Sequence, residues 1–267
     1  MTREERRKKV VELYLDNKSI NEISKQLKIS WDTAKKDLIA MEVPLEKRVN
    51  QYKKDNGIKD NLFKKIDDSN AAYWLGFLYA DGSIRQNRNE ISLELQEKDI
   101  KTIYDFHDYC KNKNTIRKHI IKKEEKEYIS YVSSFSNASV KENLINLGCV
   151  PKKSLILKCP TKEQVPDEYI YDFIRGYIDG DGYIQYDYNK HRYRIVICGT
   201  KDFLSGIMQR CGWFENCNIT KDRKSNIYTL TISNKEYVLE QLKKIYENSY
   251  YHLERKFNIY EKALMGV

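Results

Sequence analysis

Trp74–Gly82 reads W-L-G-F-L-Y-A-D-G, and about a hundred residues later Ile174–Gly182 reads I-R-G-Y-I-D-G-D-G. Each stretch is short and apolar, sets small residues four apart (Gly76 and Ala80; Gly176 and Gly180), and closes on Asp-Gly. The repetition, with an acid at the same place in both copies, predicts one site assembled from two halves. On a helix, residues i and i+4 share a face, so each copy offers a strip without bulky side chains. Two such strips let two helix backbones touch, as small-xxx-small pairs do in membranes. Gly82 and Gly182 are expected to supply the positive-φ residue that ends each helix.

Asp81 and Asp181 would then stand at the C-terminal ends of two touching helices. The helix dipole is negative there, costing a carboxylate roughly 0.3–1 kcal/mol, and the two acids repel one another as well. A divalent cation removes both problems, so the pattern predicts a metal site. Mg²⁺ held by carboxylates and substrate oxygens commonly serves phosphodiester cleavage. Asp179 aligns with Tyr79 and Asp181 with Asp81, so Asp181 is the expected acid of the second copy and Asp179 a lesser neighbour.

These paired motifs resemble the LAGLIDADG homing endonuclease family in its single-chain, two-motif form, over roughly residues 62–260. The resemblance implies an α+β fold of two pseudo-symmetric αββαββα halves. The motif helices would meet at the centre, and two antiparallel sheets would form a saddle over double-stranded DNA. It implies cleavage of both strands with short 3′ overhangs, dependent on Mg²⁺ or Mn²⁺ held by Asp81 and Asp181 with their neighbours Ala80 and Gly180. It also implies a lysine near each scissile phosphate, carried over to Lys153 and Lys256. A polar group that organises water at the end of the second strand is carried over to Asp99 and Asp202.

The duplication extends beyond the motifs. Ile91–Asp99 and Arg194–Asp202 are β-rich runs ending in Lys-Asp, each followed by a helical pattern (Ile100–Cys110; Phe203–Cys211). Tyr128–Asn137 and Ile227–Asn234 alternate like half-buried strands and close on Ser-Asn, where a helix can be capped. Pro151-Lys152-Lys153 and Glu254-Arg255-Lys256 fall at matching places, just past a helical pattern.

Composition bounds the partners. The chain has 267 residues and a net charge of +9, which suits a polyanion. Mean hydropathy is −0.74 and no stretch approaches a membrane span, so no membrane partner is expected. The start, M-T-R-E-E-R-R-K-K, lacks a signal peptide's apolar core. The six cysteines include no C-x-x-C pair and only four histidines accompany them, so zinc is not expected and the thiols read as reduced, in a cytoplasmic monomer. The lysine-rich composition suggests a bacterial or phage origin. Neither end carries the residues of an intein, so an intron-encoded (intron-homing) or free-standing protein is expected. No P-loop or G-x-G-x-x-G is present, and Asp179-Gly-Asp181-Gly departs from a calcium loop at Tyr183 and Ile184.

Four segments are expected: a helical module over 1–45, a basic linker over 46–69, and halves over 70–165 and 166–267. In the first, Glu4–Leu15, a second run through Leu27 and Trp31–Met41 read as three helices, the second opened by a capping box at Ser19-Ile-Asn-Glu22 and the third capped by Ser30. The arrangement resembles a helix-turn-helix that would turn Trp31, Asp32, Thr33, Lys35 and Lys36 toward DNA; a protein-interaction module is the other reading. The linker either follows phosphates or is a solvated tether. Arg85, Arg88, Arg117, Lys118, Lys190, Arg192, Arg194, Lys221, Arg223 and Lys224 make a candidate DNA footprint. Tyrosine, with 21 copies, alternates with basic residues from Tyr183 to Arg194, which suits a sheet with or without DNA. Two rival functions stand beside an endonuclease: a maturase gripping intron RNA, and a DNA-binding regulator with an inactive nuclease fold.

Overall fold

Thr2, Ser19 and Ser30 each open a helix by accepting a backbone N–H in the first turn, giving α1 (Arg3–Leu15), α2 (Ile20–Leu27) and α3 (Trp31–Ala40). The first two are full capping boxes, with Glu5 and Glu22 reaching back to the cap N–H. Lys28 ends α2 in the left-handed region (φ 52°), so the α2–α3 connection is tight. The three helices bury Val10, Leu13, Ile23, Ala34 and Leu38 in a core of their own. Asp37 is also buried, and Arg6 Nε (2.7 Å) and Arg7 Nε (3.4 Å) donate to its carboxylate.

This computed structural model describes residues 1–16, 18–43, 55–124, 126–189, 191–215, 217–222 and 226–266. It divides into two units, Met1–Lys54 and Asp55–Val267. The second unit runs twice through one order of elements. The first pass is α4 (Ser69–Ala80), β1 (Gly82–Ile84), β2 (Glu90–Gln96), α5 (Ile100–Tyr109), β3 (Arg117–Lys123), β4 (Lys126–Ser136) and α6 (Ala138–Asn146). The second is α7 (Ile170–Asp181), β5 (Gly182–Asp187), β6 (Arg192–Gly199), α8 (Lys201–Cys211), β7 (Cys217–Lys221), β8 (Tyr228–Ile232) and α9 (Lys235–Tyr246), with α10 (Glu254–Met265) appended. Each pass yields one antiparallel sheet, ordered β1-β2-β4-β3 and β5-β6-β8-β7. The fold is thus α+β, with two αββαββα halves. The Ser-Asn pairs act as the sequence suggests: Asn137 and Asn234 cap α6 and α9, accepting from Val140 and Tyr237 N–H at 3.1 Å.

The core is centred on the motif helices. Ala71 to Tyr79 of α4 are all buried, as are Phe173 to Asp179 of α7. The linker expected over 46–69 is corrected in part. Residues 44–54 lie outside the described residues, but 55–68 pack onto the first half. Ile58, Phe63 and Ile66 enter its core, and Asn137 and Asn143 donate to Asp60 and Leu62. Three apolar side chains among the lysines suffice to dock a segment that reads as polar overall.

Candidate active site

Glycine spacing brings the two halves together. A Cβ on Gly76 would overlap the Phe173 carbonyl oxygen and lie 3.0 Å from the Tyr177 nitrogen; one on Gly176 would overlap the Tyr73 carbonyl oxygen and lie 2.8 Å from the Phe77 nitrogen. The contact is reciprocal, as pseudo-twofold symmetry requires, and has backbone against backbone. One turn further on, a Cβ on Gly180 would overlap that of Ala80 and reach to 3.2 Å from Asp81 Oδ2. The same strip that lets the helices touch therefore delivers the two acids to one place.

The motif glycines at the helix ends act differently from expectation. Gly182 is extended (φ −111°, ψ 174°), and neither Gly82 nor Gly182 is among the positive-φ glycines. Both begin strands directly, and a Cβ there would press on the preceding turn: 2.7 Å from Leu78 Cα at Gly82 and 2.8 Å from Ile178 Cα at Gly182. Space, and not the left-handed conformation, calls for glycine.

Asp81 caps the C-terminus of α4 and Asp181 is the last residue of α7. Both reach solvent. Surrounding protein and then the Asp181 charge push the Asp81 carboxyl up to about 6, against the pull of Lys256 and Lys153. Asp181 is raised as well, by its surroundings, with Lys153 and Lys256 opposing. Two carboxylates that resist ionising together form a ready receptor for a cation.

The two lysines sit on the ends of the motif helices. Lys153, in a single 3₁₀ turn (Lys153–Leu155) entered through left-handed Lys152, donates to the Gly82 carbonyl. Lys256, in the first turn of α10, is buried and donates to the carbonyls of Ile178, Asp179 (2.8 Å) and Gly182 (2.7 Å). A cation on the last carbonyls of a helix answers its dipole. Burial lowers the Lys256 ammonium to about 8, although Asp179 holds it up. Tyr79, Ala80, Lys153, Tyr177, Asp181 and Thr200 all line a cleft of about 200 Å³.

The two second-strand acids part company. Asp99 is the N-cap residue of α5, and Arg255 of the other half donates to it at 3.1 Å. Asp202 is exposed in the first turn of α8, whose N-cap is Thr200. Counted from the start of the helix, Asp99 therefore corresponds to Thr200. A 3₁₀ turn (Glu97–Asp99) inserted between β2 and α5 offsets the matching Lys-Asp pairs.

Of the basic residues expected to meet DNA, Arg85, Arg88, Arg117, Lys118 and Lys221 are exposed. Lys141 fixes the turn that carries Arg85 and Arg88 by donating to the Gln86 and Arg88 carbonyls at 2.9 Å. Arg192 and Arg194 are half-buried, and Arg194 donates to Gln185 at 3.1 Å. In the N-terminal unit, Trp31 and Lys36 are exposed, Thr33 is half-buried near the start of α3, and Lys35 stands 5.0 Å over the Trp31 ring. Lys190, Arg223 and Lys224 lie outside the described residues.

Sequence reasoning passed over a buried network behind the site. Asp179 accepts from Tyr73 OH (3.0 Å), Tyr246 OH (2.7 Å) and Leu253 N–H (2.6 Å). Arg175, one turn before it, donates to the carbonyls of Ile245 (2.8 Å) and Tyr251 (3.0 Å). The signal was there: an arginine and an aspartate four apart in the helix, where the first copy has Leu75 and Tyr79.

Residues 168–246 match the family model of the LAGLIDADG-like domain. No curated protein matches the chain. Among solved structures, the homing endonuclease I-WcaI bound to its DNA recognition sequence is similar at 14% identity, over 72% of this chain and 87% of that one, with a TM-score of 0.50. The meganuclease I-SmaMI bound to uncleavable DNA matches at 11% identity, over 72% and 88%, with a TM-score of 0.45. Full-length WhiA from Thermatoga maritima matches at 16% identity over 77% of this chain, with a TM-score of 0.45; the match spans 64% of WhiA, less than two thirds. At such identities likeness to a structure speaks for the fold alone, and here it agrees with the domain match in the second half. Residues 168–246 thus carry a LAGLIDADG-like domain, and the chain sets two motif helices of this fold on one polypeptide.

Proposed function

We propose that the protein is a site-specific DNA endonuclease that cuts both strands with a divalent cation. The observation that carries this reading is the meeting of Asp81 and Asp181 at the ends of two helices in backbone contact. The donor set suits a hard cation: two carboxylates whose raised proton affinity a positive ion would relieve, beside the peptide oxygens of helix termini. Among the described residues no group of three or more acidic, histidine or cysteine side chains is gathered, so remaining ligands would come from water and phosphate. Asp81 and Asp181, with Ala80 and Gly180, would hold Mg²⁺ or Mn²⁺, which supplies phosphate polarisation and a more acidic water when bound.

The chain's own residues contribute charge and placement. Lys256 directs its N–H groups at three carbonyls, so it acts on a phosphate as a fixed charge and not as a direct donor. With its ammonium near 8 it remains mostly protonated at neutral pH. Lys153 stands beside Asp181 in the cleft and offsets charge that builds on phosphorus in the transition state. The exposed basic residues of the β1–β2 turn and the β3 strand would hold the DNA backbone, helped by the net charge of +9. The N-terminal unit would add a helix-turn-helix contact through Trp31, Lys35 and Lys36.

Cleavage selection on a randomised duplex library with Mg²⁺ tests the reading and yields the target. The expected products are linear fragments with short 3′ overhangs, absent when the metal is chelated. Tight binding to selected DNA without cutting in Mg²⁺ or Mn²⁺ would favour the regulator instead.

A further inference from the structure

We propose that Arg175 and Asp179 are positioning residues: they latch the α9–α10 connection onto the second motif helix and thereby seat Lys256 in the site. The inference rests on the nuclease reading only for its effect on cleavage. The two side chains lie one turn apart on α7 and face the same segment. Arg175 donates to the last turn of α9 at Ile245 and to the connection at Tyr251, while Asp172 pairs with it at 2.8 Å. Asp179 accepts the N–H of Leu253, the N-cap residue of α10, which has no side-chain cap of its own. A carboxylate at that point answers the positive end of α10. Three residues beyond Leu253, Lys256 returns to α7 and binds the peptide carbonyl of Asp179 itself.

The network also crosses the pseudo-symmetry axis. Tyr73 of α4 donates to Asp179, and the Arg175 guanidinium stands 5.3 Å over the Tyr73 ring. Arg175, Asp179 and Lys256 are each no more than 3% exposed. Burying three charges is expensive, and an apolar replacement is often at least as stable. The first half shows that alternative inside the same molecule: Leu75 and Tyr79 stand at these positions, and Tyr79 donates to the Leu147 carbonyl at 2.5 Å. An ionic latch kept where an apolar one folds points to placement of a charge, and the charge placed is Lys256.

Two measurements on Asp179→Asn and Arg175→Met test this. Hydrogen exchange read by mass spectrometry should show amides 247–256 opening faster in both variants, with 144–153 unchanged. Strand-resolved single-turnover cleavage of the selected target should show one strand slowed by about tenfold or more, the other strand unchanged and KM unchanged. General destabilisation would instead move both segments and both strands, and would overturn the proposal. Unchanged exchange over 247–256, or faster exchange with both strands cut at normal rates, would overturn it too. If Asp179→Asn fails to fold, Tyr246→Phe, which removes one of its three donors, is read in its place. Should the wild type cut no DNA under any metal, the nuclease reading fails, while the exchange measurement still decides whether the latch exists.

Discussion

In the first half the motif helix is apolar from Ala71 to Tyr79, and a neutral hydrogen bond from Tyr79 to Leu147 ties it to the segment leading to Lys153. In the second half the same tie is ionic: Asp179 and Arg175, both buried, hold residues 245–253 ahead of Lys256. The acids themselves are placed alike in both halves, because Gly76, Gly176 and Gly180 bring backbone to backbone and leave no room for variation. The difference teaches that this fold separates two tasks. Helix contact sets the acids, and a replaceable tether sets each lysine.

The largest effect is expected where the halves are most alike. Gly76→Val or Gly176→Val drives a side chain into an opposing carbonyl, which no rotamer relieves. Unfolding by urea should show a loss of about 3 kcal/mol or more, at the upper end of overpacking costs. A loss below about 1 kcal/mol would mean that the helices do not meet as described.

Next comes the contrast between tethers. Asp179→Leu removes one partner of a buried charge cluster and should cost about 3–5 kcal/mol. Tyr79→Phe leaves one buried carbonyl without its donor and should cost about 1–3 kcal/mol. Equal losses in the two variants would erase the distinction between an ionic and a neutral latch.

A pH series sharpens the account of the acids. The Asp81 carboxyl is raised in the folded protein, to about 6, so between its unfolded value and 6 the folded chain binds more protons. Metal-free stability from this group is therefore present at low pH and lost as pH rises through about 6. A cation that binds the ionised pair should reverse the loss. Calorimetry should give a larger Tm increase with Mg²⁺ at about pH 8 than at about pH 5. The opposite order would contradict a shared carboxylate site. The smallest effect is expected at the surface: Arg85→Ala should weaken DNA binding evenly across sequences and lower the salt slope by about 1.

Much of this was legible in the sequence, for physical reasons particular to certain residues. The small residues four apart and the aligned acids could be read because duplication printed them twice. Asn137 and Asn234 could be read because capping is local. Asp202 misled because the alignment followed Lys-Asp, and a 3₁₀ turn before α5 shifts the helix start that places Asp99. Gly82 and Gly182 misled because crowding by the preceding turn, which needs coordinates, selects the same residue as a positive φ does. The docking of 55–68 was hidden by its lysines. The role of Arg175 could not be read, since its partners at Ile245 and Tyr251 are backbone carbonyls about seventy residues away.

The most direct test of the central claim compares Asp81→Asn and Asp181→Asn with the wild type on the selected DNA target, following nicked and linear products in Mg²⁺. Exchanging a group one step removed from a metal typically costs 10–100-fold, so losing a direct ligand should slow double-strand cleavage at least about 100-fold. DNA affinity should be retained in both variants. If either variant linearises the target at the wild-type rate, the paired acids are not the centre of the site.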